Sequence, residues 1–589
     1  MAFLIPENLG SRPDVRGSVQ DVAKLLRDAT DEDVTVYLDV EADEDAPLWV
    51  LDPGRGLLAL YVLDSGRRGF QQRLKEQLGQ TVAFPELVRD VHADARSVLA
   101  RMQASPHLKR RVPGRVAVAF PKVKLTELGS TGTDLSTAIG QEDLHLERIG
   151  AALDRLFAGA RIQLTTQEQQ VARAAVDRRI VIRDTYDDAF SHSGIAFRAP
   201  GDGENRDLAV LDRMQQRLAF HLGDGYRVIR GVAGSGKSLI LTARARHLVE
   251  RDPSHRVLIT CYNVIIAAAL AEEVADLPTV EVRSLDSFAW RVLQSAGGRA
   301  PSGDDRFMRS RELAADHLRS GRCPPEFKYD AVLVDEGQDF DPLMLDVAFG
   351  ALNDPEGDFV VVMDGVQNIY RRNGKAWRAN GKTAQGRSSL LRVNYRNTHE
   401  ILDLAYALLE RGQAQDASGE GSIPEDNQVV RPEATSRRGA RPQVISATSV
   451  GAEVRAACEQ IERWHRNEDV PWEDILILFG DQRKYQGKLF YECKARGIPY
   501  FCATFSSKTR RQIVEIGDVV RSASIMSAKG IEFPRVVVLG ANHVAIGPES
   551  DETDHRRLVY VGMTRATDHL LLTVSGNGPV AGDLLTLAS

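Results

Sequence analysis

Gly231-Val232-Ala233-Gly234-Ser235-Gly236-Lys237-Ser238 constrains the fold of this chain more than any other stretch. It fits the phosphate-loop pattern, glycine, four free positions, glycine, lysine and serine, at every fixed place. Tyr226 to Arg230 before it reads as a strand, and Leu239 to Arg244 after it as the start of a helix. A strand, a glycine turn and a helix in that order curl several backbone N–H groups round one phosphate chain, and the helix N-terminus adds partial positive charge. The chain must therefore build a sheet with its loop at the carboxyl end of a strand. Gly231, Gly234, Ser235 and Gly236 are the candidate cradle, Lys237 the candidate contact to the β- and γ-phosphates, and Ser238 the candidate Mg²⁺ ligand.

At 589 residues the chain exceeds one core, and the usual domain size suggests about three or four domains. Hydrophobic content of 43% and charged content of 27% are those of an ordinary globular protein. The net charge of −7 gives no global attraction to nucleic acid, so such binding needs a local basic surface. Cys261, Cys323, Cys458, Cys493 and Cys502 are scattered without metal-ligand spacing, which predicts reduced thiols. The first residues lack the basic and apolar regions of a signal peptide, and no apolar run approaches the ~20 residues of a membrane span. A cytoplasmic protein with no membrane partner is expected.

Along the chain, Leu48-Trp49-Val50-Leu51 and Leu57 to Leu63 flank the turn Asp52-Pro53-Gly54-Arg55-Gly56 and predict a hairpin. A helical pattern over 70–105 and a strand at Val116 to Pro121 complete a first unit, residues 1–150. Residues 151–205 read as a helical connector, and beyond them strands alternate with helices, favouring α/β architecture with parallel sheets. Residues 412–442 are poor in large apolar side chains and predict an exposed loop.

Ala331-Val332-Leu333-Val334 is an apolar run that ends in Asp335-Glu336-Gly337-Gln338-Asp339. Buried parallel strands read as continuous apolar runs, and ligands bind at their carboxyl tips. Asp335 can hold Mg²⁺ and Glu336 can polarise an attacking water. An acidic strand end alone would as readily be a solvated turn; the phosphate loop upstream makes it a site.

Asp335-Glu336-x-Gln338-Asp339 resembles the acidic box of superfamily 1 helicases of the UvrD, Rep and PcrA type, and further segments resemble that family's motifs in order. Leu211 to Gln216 is similar to its Q motif, which implies that Gln216 reads adenine. Thr260-Cys261-Tyr262-Asn263 and Ser284-Leu285-Asp286-Ser287-Phe288-Ala289 resemble its DNA-contacting segments, implying nucleic-acid contacts from Tyr262, Asn263, Ser287 and Phe288. Met363 to Arg371 is similar to the third motif, with Gln367 as γ-phosphate sensor and Tyr370 and Arg372 towards nucleic acid. Val393 to Asn397 resembles the fourth, with Tyr395 on adenine and Arg396 on the γ-phosphate. Ser524 to Phe533 resembles the fifth, with Glu532 on the ribose, and Arg557 to Ala566 the sixth, with Arg565 as a second arginine finger.

The resemblance spans about residues 206–580 and implies two RecA-like P-loop motor domains, 206–385 and 386–589, with ATP and Mg²⁺ in the cleft between them. It implies an ATP hydrolase that moves 3′ to 5′ on single-stranded DNA, or RNA, in DNA repair or phage defence. Leu239, Arg372 and Met526 stand where the family usually has arginine, an aromatic platform and histidine. The intervals 290–330 and 397–523 leave little room for large accessory insertions. Those departures keep a rival open, an ATP-gated nucleic-acid or partner-binding regulatory module without productive unwinding.

The hairpin at Pro53 to Leu63 resembles the core of the nuclease-related domain often joined to such helicases, a small α/β restriction-endonuclease-like fold. Its metal-binding Asp, Glu and activating Lys fall here on Pro47, Tyr61 and Leu63, so an inactive nuclease-like unit that holds nucleic acid or a protein partner is expected. The nearby Asp43, Glu44 and Asp45 read as a solvated loop. Three basic clusters are candidate phosphate contacts: Lys109-Arg110-Arg111 with Arg115, Arg437-Arg438 with Arg441, and Lys508 with Arg510-Arg511.

Overall fold

The computed structural model describes residues 2–5, 16–38, 46–63, 93–128, 135–159, 161–184, 208–223, 225–298, 301, 305–321, 323–364, 378–379, 382–383, 387–416, 437–502, 517–529, 531–544 and 552–588. Outside them lie Gln367, Tyr370, Arg372, Asp43 to Asp45, the Lys508 to Arg511 cluster, and most of 70–105 and 412–442. The chain divides into two compact units: one is Met1–His192 with Arg206–His221, the other Ser193–Asn205 with Leu222–Ser589.

The first unit is built on a six-stranded sheet of β1 (Phe3–Ile5), β2 (Thr35–Leu38), β3 (Leu48–Asp52), β4 (Gly56–Val62), β5 (Gly114–Ala119) and β6 (Ala138–Ile139), in that order. The β3–β4 pair is the expected antiparallel hairpin, and β4, β5 and β6 run parallel. Gly56 is obligatory at its turn. Its φ is +130°, and a Cβ there would lie 2.2 Å from the Pro113 carbonyl oxygen. Alternating β3 and β4 side chains feed apolar cores on both faces, with Val50 and Leu58 on one and Trp49 and Tyr61 on the other. Tyr61 on β4 is 4% exposed. Among the described residues no cluster of His, Cys, Asp and Glu could hold a metal ion. A two-stranded ribbon, β7 (Val181–Asp184) and β8 (Leu208–Val210), and the helix Arg213–Phe220 also belong to this unit. The Q-like segment therefore divides with the amino-terminal part and not with the motor segments that follow.

Two all-parallel, six-stranded sheets make up the second unit. One contains β9 (Tyr226–Gly231), β10 (Val257–Cys261), β11 (Val280–Ser284), β12 (Ala331–Val334) and β13 (Asp358–Met363). After a short ribbon, β14 (Arg378–Ala379) with β15 (Lys382–Thr383), the strand β16 (Ser388–Leu391) completes it in the order β11-β10-β12-β13-β9-β16. The sheet thus runs past the expected boundary at 385. The other contains β17 (Gln443–Ala447), β18 (Ile475–Phe479), β19 (Tyr500–Cys502), β20 (Val520–Ser524), β21 (Phe533–Leu539) and β22 (Ala566–Ser575), ordered β17-β22-β21-β18-β20-β19. Every residue of β10, β12 and β18 is buried, as helices on both faces of a parallel sheet require. This is the α/β architecture of paired RecA-like motor domains. All five cysteines are free thiols, and among the described residues no helix is long and apolar enough to cross a membrane.

Candidate active site

The phosphate loop follows β9 and the acidic box follows β12, so β13 lies between them and delivers Asp364 from its carboxyl end. Gly234 and Gly236 have φ of +69° and +79°, left-handed values that cost glycine nothing. Gly236 caps the helix Lys237–Arg251, whose first turn thus presents its N–H groups to the loop. A Cβ on Gly231 would approach Ser235 Oγ to 2.5 Å, and one on Gly234 would approach Arg396 Cβ to 2.6 Å. Only glycine leaves both the cradle and the neighbouring arginine in place.

Lys237 Nζ donates to the carbonyls of Gly231 (3.0 Å) and Val232 (2.9 Å) and lies 3.4 Å from Asp364. Ser238 Oγ donates to Asp335 Oδ2 at 2.6 Å, a hydroxyl and a carboxylate side by side. Two hard oxygen donors next to a phosphate cradle suit Mg²⁺. Burial, and then the neighbouring Glu336 charge, push the Asp335 carboxyl above its usual range. A bound divalent cation opposes that push by favouring the ionised form.

Glu336 has φ of +53°, a left-handed conformation rare for a residue with a side chain. Such strain costs about 1–3 kcal/mol and is found where function holds it. Its carboxylate accepts from Gln338, whose own oxygen accepts the Asp364 N–H at 2.9 Å. Burial works to raise the Glu336 pKa, but Lys529, Lys237 and Arg565 outweigh it and hold the carboxyl below its ordinary value. Gly337 is fixed by close packing, since a Cβ would lie 2.3 Å from Val361 Cγ1 on β13.

The segment that follows β16, residues 394–397, and the residues beside β22 of the second sheet supply the facing wall. The Tyr395 N–H donates to the Gly234 carbonyl (3.0 Å) and Asn394 Nδ2 to that of Ala233 (2.7 Å). Asn394 also donates to Asn397, which in turn donates to the carbonyls of Thr564 and Ala566. A chain of amides so joins the phosphate loop to the segment carrying Arg565. Arg396 pairs with Glu532, the Tyr395 ring is 43% exposed, and Arg565 is 2% exposed. Arg565 donates to the carbonyls of Val561 and Ile531 and to Thr564, and to no carboxylate among the described residues. Burial first, then Arg396, bring its pKa down to about 10, against the field of Glu336, Glu532 and Asp364. Lys529 reaches across to Asp339 at 2.8 Å and Glu336 at 3.3 Å, and its carbonyl accepts from Asn263 Nδ2.

Lys237, Ser238, Asp335, Glu336, Arg396, Glu532 and Arg565 are therefore tied into one network of contacts, with Tyr395 on its edge. The nucleic-acid candidates divide. Tyr262 and Ser287 are half-buried, and Asn263 also caps the helix Val264–Glu273. Phe288 is a correction: it is fully buried, between Phe327 and Tyr329 in the core of the first motor sheet, and cannot meet a strand. Trp290, on the same helix Leu285–Ser295, is 42% exposed. Gln216 lies in the amino-terminal unit, 1% exposed, with its amide bonded to Arg173 and Asp177. Two basic clusters are committed in part. Arg110 pairs with Glu168, and Arg437 is buried against Asp568 at 2.7 Å. Asp364, Asn394, Asn397 and Lys529 were not singled out by sequence reasoning, because their roles come from contacts across the sheets.

These features define a P-loop nucleotide site between two RecA-like sheets. Residues 520–573 match the UvrD-like helicase C-terminal domain family, and residues 215–373 match an AAA domain family. Together the two matched segments support a superfamily 1, UvrD-like helicase. No curated protein matches the chain. Among solved structures, the C-terminal domain of a possible DNA helicase from Lactobacillus plantarum aligns with 19% identity and a TM-score of 0.23, over 32% of this chain and 92% of that one.

Proposed function

We propose that this protein is a nucleic-acid-dependent ATPase that couples hydrolysis in the cleft of its second unit to 3′-to-5′ movement on single-stranded DNA. The observation that carries this reading is the meeting, in one network, of a lysine cradle, an acidic strand tip and two arginines, Arg396 after β16 and Arg565 before β22. Lys237 neutralises β/γ-phosphate charge, and Glu336 orients the attacking water and accepts its proton. Ser238 and Asp335 hold Mg²⁺, which supplies charge compensation on the phosphates. Arg396 and Arg565 meet the charge that develops in the transition state, worth roughly 10³–10⁵ in rate for an arginine finger. Arg396 follows β16 of the first sheet and Arg565 directly precedes β22 of the second, so the two converge on the phosphates with the cleft closed; hydrolysis is fastest there, and opening after release returns the walls to their earlier spacing. A strand gripped on both sheets is carried forward by that cycle.

The test is strand displacement on duplexes with a 3′ or a 5′ single-stranded tail. Displacement from the 3′-tailed substrate alone supports the reading. Displacement from the 5′-tailed substrate alone reverses the direction, and none from either at saturating protein removes the claim of unwinding.

A further inference from the structure

The helix Gln482–Arg496 of the second sheet has two contrasting faces. Tyr485, Leu489 and Cys493 are buried in the core, whereas Arg483, Lys484, Lys488, Phe490, Tyr491 and Lys494 are exposed. At 3.6 residues per turn these six positions fall on one arc of roughly 160°. Phe490 and Arg483 stand at one edge, Lys494, Tyr491 and Lys484 in the middle, and Lys488 at the other edge. Glu492, the one acid of the helix, is half-buried and bonded to Arg496 at 2.7 Å. None of the four exposed cations has an ion-pair partner among the described residues.

The aromatics make the arc unusual. Phe490 is 50% exposed and Tyr491 72%, with ring centroids 5.6 Å apart at 75°. Two exposed rings set among cations with no ion-pair partner offer a polyanion both charge and stacking faces. Four positive charges on one helix face also run against the chain's net charge of −7. Cations that track a backbone beside rings that stack on bases are the two parts of a single-strand surface. Bases in a duplex are already stacked on each other, so the rings favour unpaired strands.

We propose that the exposed face of the helix Gln482–Arg496 binds single-stranded nucleic acid. Its residues are other than Tyr262, Asn263 and Ser287, and it does not depend on the ATPase reading.

The experiment uses the full chain with fluorescein-labelled oligo-dT, titrated by anisotropy at several salt concentrations. The Lys484→Ala/Lys488→Ala variant should bind more weakly and flatten the slope of log K against log salt by about 1.4, at ~0.7 per neutralised phosphate. Phe490→Ala/Tyr491→Ala should weaken binding by roughly 10-fold or more with the slope kept. Circular dichroism and ATP turnover without nucleic acid should match wild type in both variants. Wild-type affinity and slope in both variants would overturn the proposal and point to an acidic protein as the cover. A wild-type chain that binds the strand without hydrolysing ATP would sink the motor reading and leave this one standing.

Discussion

Glu336 sits where three constraints meet: a left-handed backbone, a bond from Gln338, and Lys529 at 3.3 Å. If it is the base, Glu336→Gln keeps the shape and loses the proton acceptor. Turnover should then fall by about 10²–10⁴ with nucleotide affinity unchanged, and a variant at wild-type turnover would exclude the role. Lys529 tests the network from its other side. Its ammonium is buried between Asp339 and Glu336, and their charges raise its pKa despite burial. Lys529→Ala strands the Asp339 carboxylate, and breaking a buried pair costs about 3–5 kcal/mol. Thermal unfolding of this variant should begin well below wild type. Both acids were legible in the sequence, because an apolar strand ending in carboxylates is a local pattern. Lys529 was not, since it stands 190 residues from Asp339 and only the fold brings them together.

At the scale of elements, two polar nodes hold the helices in place. Glu453 is fully buried and accepts hydroxyls from Tyr485, Thr573 and Ser575, joining the helices Val450–Asn467 and Gln482–Arg496 to β22. Glu453→Ala leaves three buried hydroxyls to find other partners, at about 1–3 kcal/mol each. The denaturation midpoint should drop accordingly, and an unchanged midpoint would show that the node contributes nothing. In the first unit, Thr165 and Glu168 form a capping box on the helix Thr166–Val176. The bond from Arg110 comes first among the causes that lower the Glu168 pKa from 4.5 to about 2. A lowered folded pKa stabilises above the unfolded value and loses that contribution as pH falls from 4.5 towards 2. Glu168→Gln should therefore lie below wild type in stability at pH 6 and converge with it near pH 2, followed by circular dichroism. Neither node could be read from sequence. Glu453 occupies an ordinary amphipathic helix, and Arg110 stood in a run of cations that suggested phosphate contact.

For the molecule as a whole, the parts carried by local pattern were legible: the strand, loop and helix at 226–251, the hairpin at Leu48 to Val62, and the two parallel sheets. The divisions between bodies were not. Pairing of β16 beside β9 and packing of the helix Arg213–Phe220 with the amino-terminal unit are long-range choices that no window of sequence displays. Phe288 failed for a related reason, as a motif position does not say which face of a helix meets the core. Hydrolysis of ATP in this cleft in response to a single strand is the step on which the proposed function stands. Its most direct test is steady-state ATP turnover with and without single-stranded DNA, for wild type and Lys237→Ala. Several-fold stimulation of wild type by the strand and near-complete loss in the variant are expected. Turnover that ignores the strand, or survives in Lys237→Ala, would contradict the proposed function.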